Sequence, residues 1–174
     1  LNTANEKNAL INTEMYLTKQ LYQEKMEAAR IEGNINEQEK LQAELTLQLV
    51  LLEKQKKDNI VAYYNNLRKI NEHQNKNLSN TVDELEARGL TVSSKLYSSQ
   101  IAINNEMKKK YEEELASLIE QHAKIKENTK EWYASLDSIQ ACKDGIHDMT
   151  KENIQLGQSI RNIEWELVGK VNDR

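Results

Sequence analysis

Proline is absent from all 174 residues, and this narrows the possible folds more than any other feature. Pro removes a backbone donor and clashes with the preceding turn, so without it a helix stops only where Gly or a short polar cap allows. Leu, Glu, Lys, Gln and Ala are abundant, and these side chains lose little freedom in a helix. Five Gly leave few places to turn. The expectation is an all-α chain of long antiparallel helical hairpins, a coiled-coil-like elongated bundle of about four helices. Residues 1–174 are read as a single elongated helical coiled-coil region.

Three stretches can turn the chain. In Glu32-Gly33-Asn34-Ile35-Asn36-Glu37-Gln38-Glu39, Gly33 can end a helix in a left-handed conformation. Asn36 and Glu39 then have capping-box spacing. In Ala87-Arg88-Gly89-Leu90-Thr91-Val92-Ser93-Ser94, a glycine stop precedes hydroxyls able to accept the first free amides of a new helix. The third, Lys126-Glu127-Asn128-Thr129-Lys130-Glu131, lacks a glycine and offers Asn128 as the cap. The helices expected between these breaks are roughly 4–32, 37–86, 94–125 and 129–169. At about 1.5 Å per residue the longest extends ~75 Å.

Apolar spacing marks the faces that need partners. In the third helix Tyr97, Ile101, Asn104, Lys108, Tyr111, Leu115, Leu118, His122 and Ile125 follow alternating steps of four and three. In the fourth, a stripe runs from Trp132 through Ile139, Cys142, Ile146, Met149, Ile160 and Ile163 to Leu167. Stripes this narrow resemble coiled-coil seams. The second helix is apolar over 41–52 and 60–70, but Asn71-Glu72-His73-Gln74-Asn75-Lys76-Asn77 has nothing to bury. A wet or frayed layer, or a kink, is expected there. The strand-like alternation Leu45-Thr46-Leu47-Gln48-Leu49 is read as a wide helix face.

Composition excludes several classes. One cysteine, Cys142, cannot build a disulfide framework. The longest apolar run, Leu49 to Leu52, is far short of the ~20 residues of a membrane span. Basic and acidic side chains, 24 against 28, are interspersed, which gives no electrostatic footprint for nucleic acid. The chain opens on Leu1 and carries no signal peptide, and it is read as an excised piece of a longer protein.

Catalytic signatures are also missing. His73, His122 and His147 form no pair at zinc-site spacing, and no second Cys completes one. No glycine-rich phosphate loop exists. His147-Asp148 and Glu120/His122 carry no weight as acid–base pairs in a chain so rich in carboxylates. Cys142 lies on an apolar stripe and reads as a small buried hydrophobe. Lys108-Lys109-Lys110 is compensated by Glu112-Glu113-Glu114 on the same helix surface, a solvated face. Trp132 and Trp165 bracket the fourth helix and read as core anchors at its two ends. No catalytic, cofactor-binding or metal-ligating residue is therefore expected, and no enzyme.

Four blocks carry a resemblance. They are Gly89 with its turn; Lys95-Leu96-Tyr97 with Gln100-Ile101; Glu131-Trp132-Tyr133; and Ile160-Arg161-Asn162-Ile163-Glu164-Trp165-Glu166, followed by Asp173-Arg174. Their order and spacing resemble a coiled-coil segment of the tail tape measure proteins of phages and prophages of Gram-positive bacteria. The likeness covers about Tyr63 to Arg174, and residues 1–62 match only as generic helix. Val168-Gly169-Lys170-Val171-Asn172 stands where the family pattern tends to carry an aromatic or aliphatic residue before Asp-Arg. Lys126-Glu127-Asn128 replaces a glycine-rich stop.

The resemblance implies non-enzymatic structural work: setting tail length during assembly and leaving the tube at DNA ejection. It implies a place in the virion tail lumen after synthesis in the bacterial cytoplasm. Its implied partners are copies of itself and the tail tube and assembly proteins. A non-phage helical scaffold, secretion- or chromosome-associated and cytoplasmic, is the alternative class. A helical pore-forming toxin would need an apolar tongue near membrane length, which this chain does not have.

Overall fold

The computed structural model describes residues 2–172. The chain is all-α, with four helices in the order α1 (Asn2–Ile31), α2 (Ile35–Ala87), α3 (Ser94–His122) and α4 (Lys130–Asn172), and no strand among the described residues.

The first two turns repeat one device. At the end of α1 the Gly33 amide donates to the Arg30 carbonyl at 3.0 Å and the Asn34 amide to Ala29 at 2.9 Å. At the end of α2 Gly89 donates to Glu86 and Leu90 to Leu85, both at 2.9 Å. Each pair satisfies orphan carbonyls in a Schellman closure, which needs a left-handed residue at the glycine. Gly33 and Gly89 have φ of +73° and +69°. At the start of α2 the cap is Asn34, two residues before the expected Asn36. The Asn34 Oδ1 accepts from the Glu37 amide at 3.0 Å, so the helix already begins at Ile35.

α3 opens on Ser93, whose Oγ accepts from the Lys95 amide at 3.3 Å. It ends at His122, short of Ile125, because the chain tightens there: Lys124 and Ile125 donate three residues back, to Gln121 and His122, each at 3.1 Å. Asn128, the expected cap of α4, instead supplies the left-handed bend with φ of +63°. Thr129 caps, its Oγ1 accepting from the Trp132 amide at 3.2 Å. The amide-rich stretch 71–77 does not fray; α2 is helical throughout it.

The chain packs as two compact units. One holds α1, α2 as far as Tyr63, and Ala116–Ile139; the other holds Tyr64–Leu115 and residues 140 onward. In the first, α1 and α2 run antiparallel. Asn8 meets Asn59, Tyr22 meets Gln48, and Tyr22, Ala29, Leu41 and Leu45 form a buried cluster with Met26 and Leu49 against it. The α1 stripe is regular, with Ala4, Ile11, Tyr22 and Ala29 buried and Asn8, Met15, Thr18 and Met26 between them half-buried. Also within this unit, Gln121 near the end of α3 meets Glu53 of α2. In the second unit α2 and α3 pair antiparallel through Arg68–Glu114, Asn71–Lys110 and Asn75–Asn104. Asn105 and Asn153 link α3 to α4 there.

Candidate functional site

The groups that could support chemistry do not converge. His73 and His147 lie apart, on α2 and α4, and His73 is exposed. His122 stacks on Trp132, ring centroids 5.0 Å apart. Among the described residues, no group of three or more His, Cys, Asp or Glu side chains is placed to hold a metal ion. Cys142 is 2% exposed. Burial, and then the charge and hydrogen bonding of Glu114, push its thiol up to about 12. At neutral pH it stays protonated, the opposite of what a nucleophile or metal ligand requires.

What converges is a line of polar side chains inside the helix seams. In the first unit Gln121 Nε2 donates to the Glu53 carboxylate and, at 3.1 Å, to the Glu53 carbonyl. Lys56 Nζ lies 3.3 Å from the same carboxylate. All three side chains are buried. Nearby, Asn59 Nδ2 donates to Asn8 Oδ1 at 3.0 Å, and Asn8 Nδ2 donates to the Lys56 carbonyl at 3.3 Å.

The second unit carries the denser network. Arg68 donates to Glu114, their side chains 5% and 3% exposed, and its other arm reaches Asn65 Oδ1. The guanidinium stacks over the Tyr111 ring, 3.9 Å from its centroid. That ring lies against α4 at Gly145, where an added Cβ would fall 2.5 Å from two ring carbons. Glycine, with no Cβ, thus lets α4 approach while Tyr111 supports the arginine. Burial raises the Tyr111 hydroxyl above its ordinary pKa, outweighing Arg68. One turn on, Lys110 Nζ donates to Asn71 Oδ1 and to the Leu67 carbonyl, and Asn71 Nδ2 donates to Glu106 at 2.9 Å. Then Asn75 Nδ2 donates to Asn104 Oδ1, and Asn153 Nδ2 to Asn105 Oδ1 at 2.9 Å. Three amide atoms of this layer, Asn75 Oδ1, Asn104 Nδ2 and Asn153 Oδ1, have no hydrogen-bond partner in the protein.

In a buried charge pair, leaving either ion buried without its partner would cost several kcal/mol, so the pair penalises a slip of one helix along the other. Buried polar pairs of this kind can fix the register of one helix on another. Sequence reasoning placed Asn104 on a seam and missed Gln100, Glu114 and Gln121, all buried. A signal was present: Gln100, Met107, Glu114 and Gln121 recur every seven residues. The buried stripe of α3 keeps the expected 104, 111 and 118 and moves the alternate members one position back, onto 100, 107, 114 and 121, all buried except the half-buried Tyr111; Ile125, past the helix end, is buried as expected. No protein family, curated protein or solved structure matches the chain.

Proposed function

We propose that this chain is a structural, non-enzymatic coiled-coil segment of a phage tail tape measure protein. On this reading it contributes to tail length determination and assembly in the tail lumen and leaves at DNA ejection. The observation that carries the reading is where the resembling blocks fall. The Gly89 turn closes α2, Lys95 to Ile101 open α3, and Glu131-Trp132-Tyr133 open α4. The fourth block occupies the C-terminal part of α4, and its Asp173-Arg174 pair lies outside the described residues. Three of the four blocks mark helix boundaries, which supports reading the pattern as an architecture. The seams support the same reading, because they specify helix register and present no convergent set of reactive groups among the described residues.

Physical length is what such a segment supplies. With rise fixed at about 1.5 Å per residue, the chain as one helix would reach ~260 Å, and folded into hairpins only a fraction of that. Its partners on this reading are further copies of itself and the tail tube and assembly proteins. The test is an in-frame deletion of these residues from the parent gene, with tail lengths measured by electron microscopy. Tails shortened by up to ~260 Å are expected if the segment lies extended, and by a smaller fixed increment if its hairpins persist. Virions with unaltered tails, or a parent gene with no tail genes beside it, would overturn the proposal.

A further inference from the structure

Two helices carry a second apolar stripe that none of the described residues covers. On α1, Leu10, Leu17, Leu21 and Ile31 are 72%, 57%, 50% and 73% exposed. With Glu14, Glu24 and Ala28 they follow steps of four and three, the period of the buried stripe, turned by about 100° around the helix. On α4, Ile154, Gln158, Arg161, Trp165 and Val168 follow the same steps, with Trp165 74% exposed. Each stripe has the spacing that accepts a partner helix by knobs-into-holes packing.

Charge decides which partner. An α1 stripe packed on another α1 stripe can set Lys7 against one glutamate at most, Glu24 antiparallel or Glu14 parallel, and leaves the other glutamate on an apolar residue. An α4 stripe on its like, antiparallel, can set Arg161 against Asp144 but then leaves Lys151 on Ile154. Unlike stripes fit. Run parallel with Glu24 level with Arg161, the heptad phases coincide: Glu14 meets Lys151, Leu17 meets Ile154, Leu21 meets Gln158, Ile31 meets Val168, and small Ala28 faces large Trp165. A carboxylate and a guanidinium in one layer compensate each other where like charges would repel.

We infer that this protein self-associates head to tail, the exposed stripe of α1 in one copy packing on the C-terminal stripe of α4 in a second. The inference rests on the self-association in the proposed reading and names its surface. The contact is heterologous: each copy keeps one free stripe, so association extends into a chain or closes as a ring.

Charge exchange tests it on the full chain by sedimentation velocity. Glu24→Arg and Arg161→Glu alone should each weaken association about tenfold. Both positions are exposed, so helix content by circular dichroism should not move. An equimolar mixture of the two variants should recover association, because every contact between unlike variants again sets one acidic against one basic side chain at positions 24 and 161. Only a contact between unlike stripes predicts that rescue. Association indifferent to both substitutions would overturn this interface and leave self-association standing. A parent chain that stays monomeric at high concentration would overturn both, while the tape measure reading would still answer to tail length.

Discussion

Cys142 shows how far a residue's chemistry is set by its surroundings. It lies on α4 within reach of the Glu114 carboxylate, which is itself held by Arg68 on α2. A thiolate there would face an existing negative charge away from water, so the proton stays on to about 12. This gives a linkage with a definite sign. A group whose folded pKa lies above its unfolded value contributes stability that is present below the unfolded pKa and lost as pH rises through the folded one. For Cys142 the window runs from its ordinary 9.0 to about 12. Cys142→Ala should therefore lose less stability than the parent between those values, measured as urea midpoints at several pH values. Alkylation by iodoacetamide should follow unfolding in the same titration, and rapid labelling of the folded protein would contradict the burial argument.

At the scale of the helices, the pair Arg68–Glu114 ties α2 to α3 at one level. Removing one member leaves the other charged and buried, so Arg68→Met alone or Glu114→Leu alone should cost about 3–5 kcal/mol. The double variant should recover most of that loss, since packed apolar side chains replace the pair without an orphan. Two equal, additive losses would mean that the ions act independently and hold no register. The same seam shows what could be read in advance. Absent Pro, Gly33, Gly89 and the hydroxyls after Gly89 indicated the helix count and two turns, because backbone stops are local. The buried polar set was less legible. Arg68, Glu114 and Gln121 are ordinarily surface residue types, and only the three-dimensional partner decides that they lie inside. Asn128 gave up its expected role as cap to Thr129 for a related reason. Both can cap, but Asn tolerates the left-handed bend that the chain needs without glycine, so Thr takes the cap.

For the whole molecule the governing quantity is a thin apolar content, 38%, set against 30% charged side chains and a net charge of −4. A pI near 5.5 means that a modest fall in pH removes the repulsion between copies. Whether the fold survives that fall depends on its paired carboxylates. Asp58 is one of them. Burial pushes its pKa up, but hydrogen bonds from Lys54 and Lys57, at 2.8 and 2.9 Å, outweigh burial and hold it below its ordinary 3.8. A depressed carboxylate contributes stability above its unfolded pKa and loses it as pH falls through the folded value. Asp58 therefore still contributes in full at pH 5.5, and its share disappears only below about 4. Association followed by light scattering should rise toward pH 5.5 with helicity unchanged, and helicity should fall only at more acid pH. If helix content were already lost at pH 5.5, the rise in scattering would be aggregation of unfolded chains, and ordered contact between exposed helix stripes could not account for it.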